Sequence, residues 1–140
     1  MNYDIVRIKT ELAIGKTKLN KLIIAHDELK KNPENEFAKD SLQFNFIHYI
    51  EFIIKICEHL SAKNGLYEAN MTSQSKILAV TALSFINKND KEIFIYLVGL
   101  RNRLVHEYWI PKEEEIFEAV DKELNHLKEF YNNTLNLIKS

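Results

Sequence analysis

Apolar residues recur along this chain at helical spacing, with lysines, glutamates and amides between them. In residues 3–31 the stripe is Ile5, Ile8, Leu12, Leu19, Leu22 and Leu29, which predicts a first helix. Gly15 falls on the same stripe, marking either a close helix approach or a tolerated weak point. Asn32-Pro33-Glu34-Asn35 interrupts the pattern. A second helix follows over about 36–63, with Phe37, Leu42, Phe46, Ile47, Ile50, Ile53, Ile54, Cys57 and Leu60. Phe44, Phe52 and Ile56 widen its apolar face past an ordinary core stripe. Such a helix is either central to the fold or also faces a partner.

Asn64-Gly65 is a natural helix stop, and residues 66–72 read as a loop. Thr72 or Ser73 can cap a short third helix carrying Ile77, Leu78, Val80, Leu83, Phe85 and Ile86. Asn87-Lys88-Asn89-Asp90 breaks it and caps a fourth, which carries Ile93, Phe94, Leu97, Val98, Leu100, Leu104 and Val105. Pro111 belongs near the start of a last helix over about 112–138, striped by Ile116, Val120, Leu124, Leu127, Tyr131, Leu135 and Ile138. The expectation is an all-α fold, an antiparallel bundle of four to five helices in one domain spanning 1–140. No alternating strand pattern and no internal repeat competes with it.

Composition supports this picture and narrows the function. Only 3 glycines and 2 prolines in 140 residues leave few obligatory breaks. The net charge of −1 excludes a global basic field of the kind that drives non-specific nucleic-acid binding. Charge is uneven along the chain: the first 31 residues are lysine-rich, whereas 107–129 is acidic. These are solvated helix faces, or the lysine-rich first helix guides a polyanion. Cys57 is the only cysteine and lies in an apolar run, the place of a buried small hydrophobe. No apolar run is long enough to span a membrane, and Met1-Asn2-Tyr3-Asp4 does not open a signal peptide, so a cytoplasmic protein is expected.

The candidate chemistry is concentrated in Arg101-Asn102-Arg103-Leu104-Val105-His106-Glu107-Tyr108. Two of the three arginines of the chain stand here, and a guanidinium fork fits a phosphate better than an ammonium does. Asn102 and His106, four apart, lie within about 40° on one helix face. Arg101 is one position off that face but long enough to reach it. Leu97, Leu100 and Leu104 lie on another face and can anchor the helix. Arg103 is a further candidate for contact with a phosphate. The other histidines, His26, His48, His59 and His126, are scattered without metal-ligand spacing, and His48 and His59 read as structural. No glycine-rich phosphate loop occurs, so no cofactor is expected.

The stretch Val98-Gly99-Leu100-Arg101-Asn102-Arg103-Leu104-Val105-His106-Glu107-Tyr108-Trp109 resembles the signature of HEPN-domain proteins: arginine, four residues, histidine, one residue, tyrosine. It is most similar to the small prokaryotic branch paired with minimal nucleotidyltransferases in toxin–antitoxin modules of type II or type VII-like organisation. The resemblance implies a metal-independent endoribonuclease working as a two-fold homodimer. Arg101, Asn102 and His106 would then line a composite cleft with their symmetry mates. It also implies that the cognate minimal nucleotidyltransferase, the antitoxin, adds AMP to Tyr108. The apolar breadth of the second helix agrees with a dimer. The alternative is a catalytically inactive HEPN binding module that presents substrate to a nucleotidyltransferase or regulates it.

Overall fold

The computed structural model describes residues 1–106 and 113–139. Among the described residues there are five helices: α1 (Ile5–Lys31), α2 (Glu36–Lys63), α3 (Ser73–Thr81), α4 (Lys91–His106) and α5 (Glu113–Lys139). Short polar side chains start the first three, where free backbone N–H groups need acceptors. Asp4 caps Val6 and Arg7 at 3.0 and 3.3 Å, Asn35 caps Ala38 at 3.1 Å, and Thr72 caps Ser75 at 3.1 Å.

Antiparallel packing of α1 on α2 follows from contacts at one end and midway along the pair. The Asn2 backbone N–H donates to Asn64 Oδ1 at 2.8 Å, and Asn64 Nδ2 returns a bond to the Asn2 carbonyl at 2.9 Å. Midway along, Gly15 lets α1 rest on the Phe52 ring, where a Cβ would stand only 2.8 Å from ring carbon Cδ1. The glycine therefore marks a close helix approach. Further contacts orient α5: Tyr3 donates to the Leu137 carbonyl at 3.0 Å, and Tyr49 donates to the Leu127 carbonyl. Hence α5 runs antiparallel to α1 and parallel to α2, while α4 runs antiparallel to both α2 and α5.

The second helix is central. It packs against α1, α3, α4 and α5. Phe52 and Ile56 are buried within their own chain, Phe52 in an aromatic cluster with Tyr49, Phe130 and Tyr131. Burying one such side chain contributes about 1.5–3 kcal/mol. The part of the apolar breadth of α2 that comes from Phe52 and Ile56 is thus used inside the bundle. Phe37 departs from the expected core: it is 88% exposed, and Phe44, seven residues on, is 53% exposed. Both lie on the outward stripe of α2, two turns apart.

The third helix is shorter than its apolar pattern suggested. It ends at Thr81, and Ser84 takes a left-handed φ of 59°. The Phe85 N–H reaches back to the Val80 carbonyl at 3.3 Å. Phe85 and Ile86 still enter the core, but from this turn rather than from helix. Cys57 is fully buried, and burial pushes its thiol above the ordinary range. No helix among the described residues is long and apolar enough to cross a membrane.

Candidate active site

The site is built on α4. Phe94, Leu97, Val98, Leu100 and Leu104 are buried and fix one face of this helix in the core. The opposite side carries the polar residues, so their backbone is rigid although they reach the surface. The Asp90 carbonyl opens the helix, accepting from the Ile93 and Phe94 N–H groups at 3.1 and 3.3 Å.

Arg101 and Asn102 are brought together: Arg101 Nη1 donates to Asn102 Oδ1 at 3.0 Å. His106 lies one turn beyond Asn102 and is exposed at the end of α4. Arg103 turns toward α5 and donates to Glu115 Oε1 at 2.7 Å, so an RNA phosphate would have to compete with that carboxylate for it. Tyr96 also reaches Glu115 Oε1, at 3.5 Å. Tyr108, with Trp109 and Pro111, lies outside the described residues.

Two residues of α2 join the site that the sequence did not single out for it. Arg101 Nη2 donates to Glu51 Oε1 at 2.8 Å. His48 Nδ1 lies 3.3 Å from Glu51 Oε2. Burial alone would push the Glu51 carboxyl up, but the Arg101 hydrogen bond and charge, with His48 beside it, outweigh burial and hold it below the ordinary carboxylate range. Glu51 is therefore an anion at neutral pH, and it offsets the charge of Arg101. The His48 ring packs on Phe44 with centroids 4.3 Å apart, and Lys18 Nζ sits 4.9 Å from the Phe44 ring centre. A signal for Glu51 existed: it is an acid between Ile50 and Phe52 on a strongly apolar helix, three residues from a histidine. Nothing in the sequence pairs it with a residue 50 positions away.

Chemically, the arrangement presents an oriented guanidinium with an amide beside it and an exposed imidazole one turn further on. Such groups can hold a phosphodiester and move protons. Among the described residues, no group of three or more His, Cys, Asp or Glu side chains is placed to hold a metal ion. His59 is engaged structurally, its Nε2 accepting from the Asp4 N–H at 2.9 Å. His26 pairs with Asp121 at 2.8 Å and stacks on Phe117, joining α1 to α5.

A cavity of about 550 Å³ lies elsewhere, between the end of α1, the start of α2 and the start of α5, lined by Leu29, Leu42, Ile116 and Phe117 with Lys30 and Asp121. Arg101, Asn102, Arg103 and His106 do not line it.

Comparison with known proteins adds family and fold. The family model described as Ribonuclease HepT-like matches residues 17–134. No curated protein matches the sequence. Among solved structures, the tri-AMPylated HEPN toxin of Shewanella oneidensis in complex with MNT antitoxin superimposes with a TM-score of 0.78 at 21% identity, covering 95% of this chain and 97% of that one. A mutant of the MntA–HpeT toxin–antitoxin gives 0.77 at 18% identity, over 90% of this chain and 95% of that one. YutE of Bacillus subtilis, a cytosolic protein of unknown function, gives 0.81 at 13% identity, over 98% and 92%. At these identities the solved structures share the five-helix fold.

Proposed function

Because this chain belongs to the family of HepT-like ribonucleases, we propose that it is a metal-independent RNA endonuclease, the toxin of a two-component toxin–antitoxin pair acting in the cytoplasm. The observation that carries the reading is the family match across residues 17–134, which includes Arg101, Asn102 and His106 on a helix anchored in the core.

In this reading Arg101 binds the scissile phosphate and stabilises the charge that builds on it during attack. The 2′-oxygen of RNA forms a bond to phosphorus as its proton passes to a base. The bond from phosphorus to the 5′-oxygen breaks as that oxygen takes a proton from an acid. The products are a 2′,3′-cyclic phosphate and a free 5′-hydroxyl. His106 supplies the proton chemistry, and Asn102 holds Arg101 or the phosphate in place. One imidazole cannot be base and acid in the same step. Two copies of the chain facing each other across a two-fold axis would supply both.

The partner that fits is a minimal nucleotidyltransferase antitoxin, because a structural neighbour is a tri-AMPylated toxin held with MNT antitoxin. It would add AMP to Tyr108. A bulky anion on that residue would oppose RNA at Arg101 and His106 by charge and by size. Intact-mass analysis after incubation with the cognate nucleotidyltransferase and ATP is expected to show added AMP that Tyr108→Phe abolishes; an unmodified wild type would sink this part of the reading.

The deciding experiment is cleavage of a mixed RNA pool by purified protein in EDTA. Wild type is expected to cleave, Arg101→Ala and His106→Ala to lose on the order of 10²-fold or more of the rate, and DNA to be spared because it lacks the 2′-hydroxyl. A second reading, an inactive module that presents substrate to a nucleotidyltransferase, is favoured by one observation: Glu51 already offsets Arg101. A well-folded protein that cuts no RNA, and whose intact mass shows no AMP already on Tyr108, would favour that alternative.

A further inference from the structure

We propose that Glu51 is a positioning residue for Arg101: from α2 it orients the phosphate-binding guanidinium on α4, and its negative charge limits how tightly that guanidinium holds RNA. The kinetic half of this inference rests on the nuclease reading above, whereas the contact itself rests only on the packing of α2 against α4.

An arginine side chain is long and must be held if its fork is to meet a phosphate in one geometry. Arg101 is held at two points. Glu51 Oε1 accepts from Nη2 at 2.8 Å, and Asn102 Oδ1 accepts from Nη1 at 3.0 Å. The two acceptors come from different helices and engage different nitrogens, which fixes the plane of the guanidinium. Each bond occupies a single N–H of its nitrogen, so the second N–H of both Nη1 and Nη2 remains for a substrate oxygen. Glu51 is itself restrained by His48, 3.3 Å from its other oxygen, and His48 by the Phe44 ring.

The charge of Glu51 has the opposite effect on binding. The Arg101 side chain is 16% exposed and that of Glu51 31%, so solvent screens the pair less than it would on an open surface. An RNA phosphate approaching Arg101 meets the Glu51 carboxylate as well. Removing that carboxylate should therefore tighten RNA binding while freeing the guanidinium to rotate. A residue that merely binds substrate, or merely supports the fold, does not give this combination.

The test compares wild type with Glu51→Ala, Glu51→Gln and Arg101→Ala. The first readout is ¹⁵N NMR of the arginine side chains, which is tractable because the chain has only three arginines, Arg7, Arg101 and Arg103, and Arg101→Ala assigns the signal. Hindered guanidinium rotation is expected in wild type, free rotation in Glu51→Ala, and an intermediate state in Glu51→Gln, whose amide oxygen can still accept from Nη2. The second readout is affinity for a 2′-O-methyl RNA, which binds but cannot be cut, together with kcat and KM on the unmodified RNA. Glu51→Ala is expected to bind roughly 3–10-fold tighter and to lose about tenfold in kcat. Glu51→Gln is expected to bind as tightly and to keep most of kcat.

A Glu51→Ala protein whose Arg101 stays locked, or which binds no tighter and cuts like wild type, overturns the proposal. Melting temperatures identify any variant that has lost its fold, and the isosteric Glu51→Gln then decides on the same affinity readout. If wild type cuts no better than Arg101→Ala, the nuclease reading fails. The positioning role is then upheld by freed rotation together with tighter 2′-O-methyl RNA binding in Glu51→Ala, and overturned if either is missing.

Discussion

A single missing side chain sets the distance between the first two helices of the bundle. Gly15 faces three carbons of the Phe52 ring, and a Cβ there would stand 2.8–2.9 Å from them. Phe52 cannot swing away, because Tyr49, Phe130 and Tyr131 pack around it. Gly15→Ala would gain about 1 kcal/mol of helix propensity against an overpacking cost of about 1–3 kcal/mol. With a ring this confined the upper part of that range applies, and chemical denaturation is expected to show a net loss of about 1–2 kcal/mol. The hydroxyl of Tyr49 gives a second prediction. It donates to the Leu127 carbonyl from a buried position, so Tyr49→Phe should cost about 1 kcal/mol in the same measurement. Both effects rest on neighbours far away in sequence, which is why Gly15 could be marked as a possible close approach but its neighbour could not be named.

At the scale of the element, the ends of helices carry the departures from simple periodicity. The third helix stops because the chain turns through Ser84 at φ 59°, a conformation that costs a residue with a Cβ about 1–2 kcal/mol. Ser84→Gly is expected to raise stability by roughly 0.5–1 kcal/mol, read as an upward shift of the thermal midpoint. A spacing argument alone had carried that helix on to Ile86, since buried residues in a turn can keep helical spacing by coincidence. The start of α1 offers a pH-dependent test. Burial lowers the His59 pKa, and the nearby charges of Lys63 and Arg7 add to that, outweighing Asp4 and Glu11. Its neutral form accepts the Asp4 N–H. A histidine pKa depressed by folding contributes stability that is complete above the unfolded value, about 6.5, and declines as pH falls through the folded value. Hydrogen-exchange protection of the Asp4 amide is thus expected to fall as pH drops below about 6.5, and to be weak at every pH in His59→Ala. Protection that persists in His59→Ala would show that the bond does not hold this end of α1.

At the scale of the whole molecule, the question is whether one copy is enough. Within one chain α2 buries most of its apolar surface against four neighbours, with Phe37 and Phe44 left outside that packing. The case for two copies is chemical: proton transfer in two directions needs two groups, and each chain supplies one His106. Light scattering at micromolar concentration is expected to give a dimer, and specific activity should fall on dilution below its dissociation constant. A monomer that retains full activity per chain would refute the composite site while leaving the fold and the Arg101–Glu51 contact untouched.

Most of the architecture could be read from the sequence, because helical periodicity and capping are local properties. The spacing of Leu97, Leu100 and Leu104 put one face of the fourth helix in the core, and the cluster of Arg101, Asn102 and His106 followed on its other side. The ends of α1 and α2 were marked by Asn32-Pro33-Glu34-Asn35 and Asn64-Gly65, and in the structure Asp4 and Asn35 cap the starts of these helices. What only the tertiary structure decided were the partners across helices. The apolar face of α2 was legible as broad, but whether it met the rest of the chain or a second copy depended on where α3, α4 and α5 docked. Arg101 is tied to Glu51, and Arg103 to Glu115. Such pairs depend on how helices rotate and pack against one another, and no spacing along a single chain encodes that.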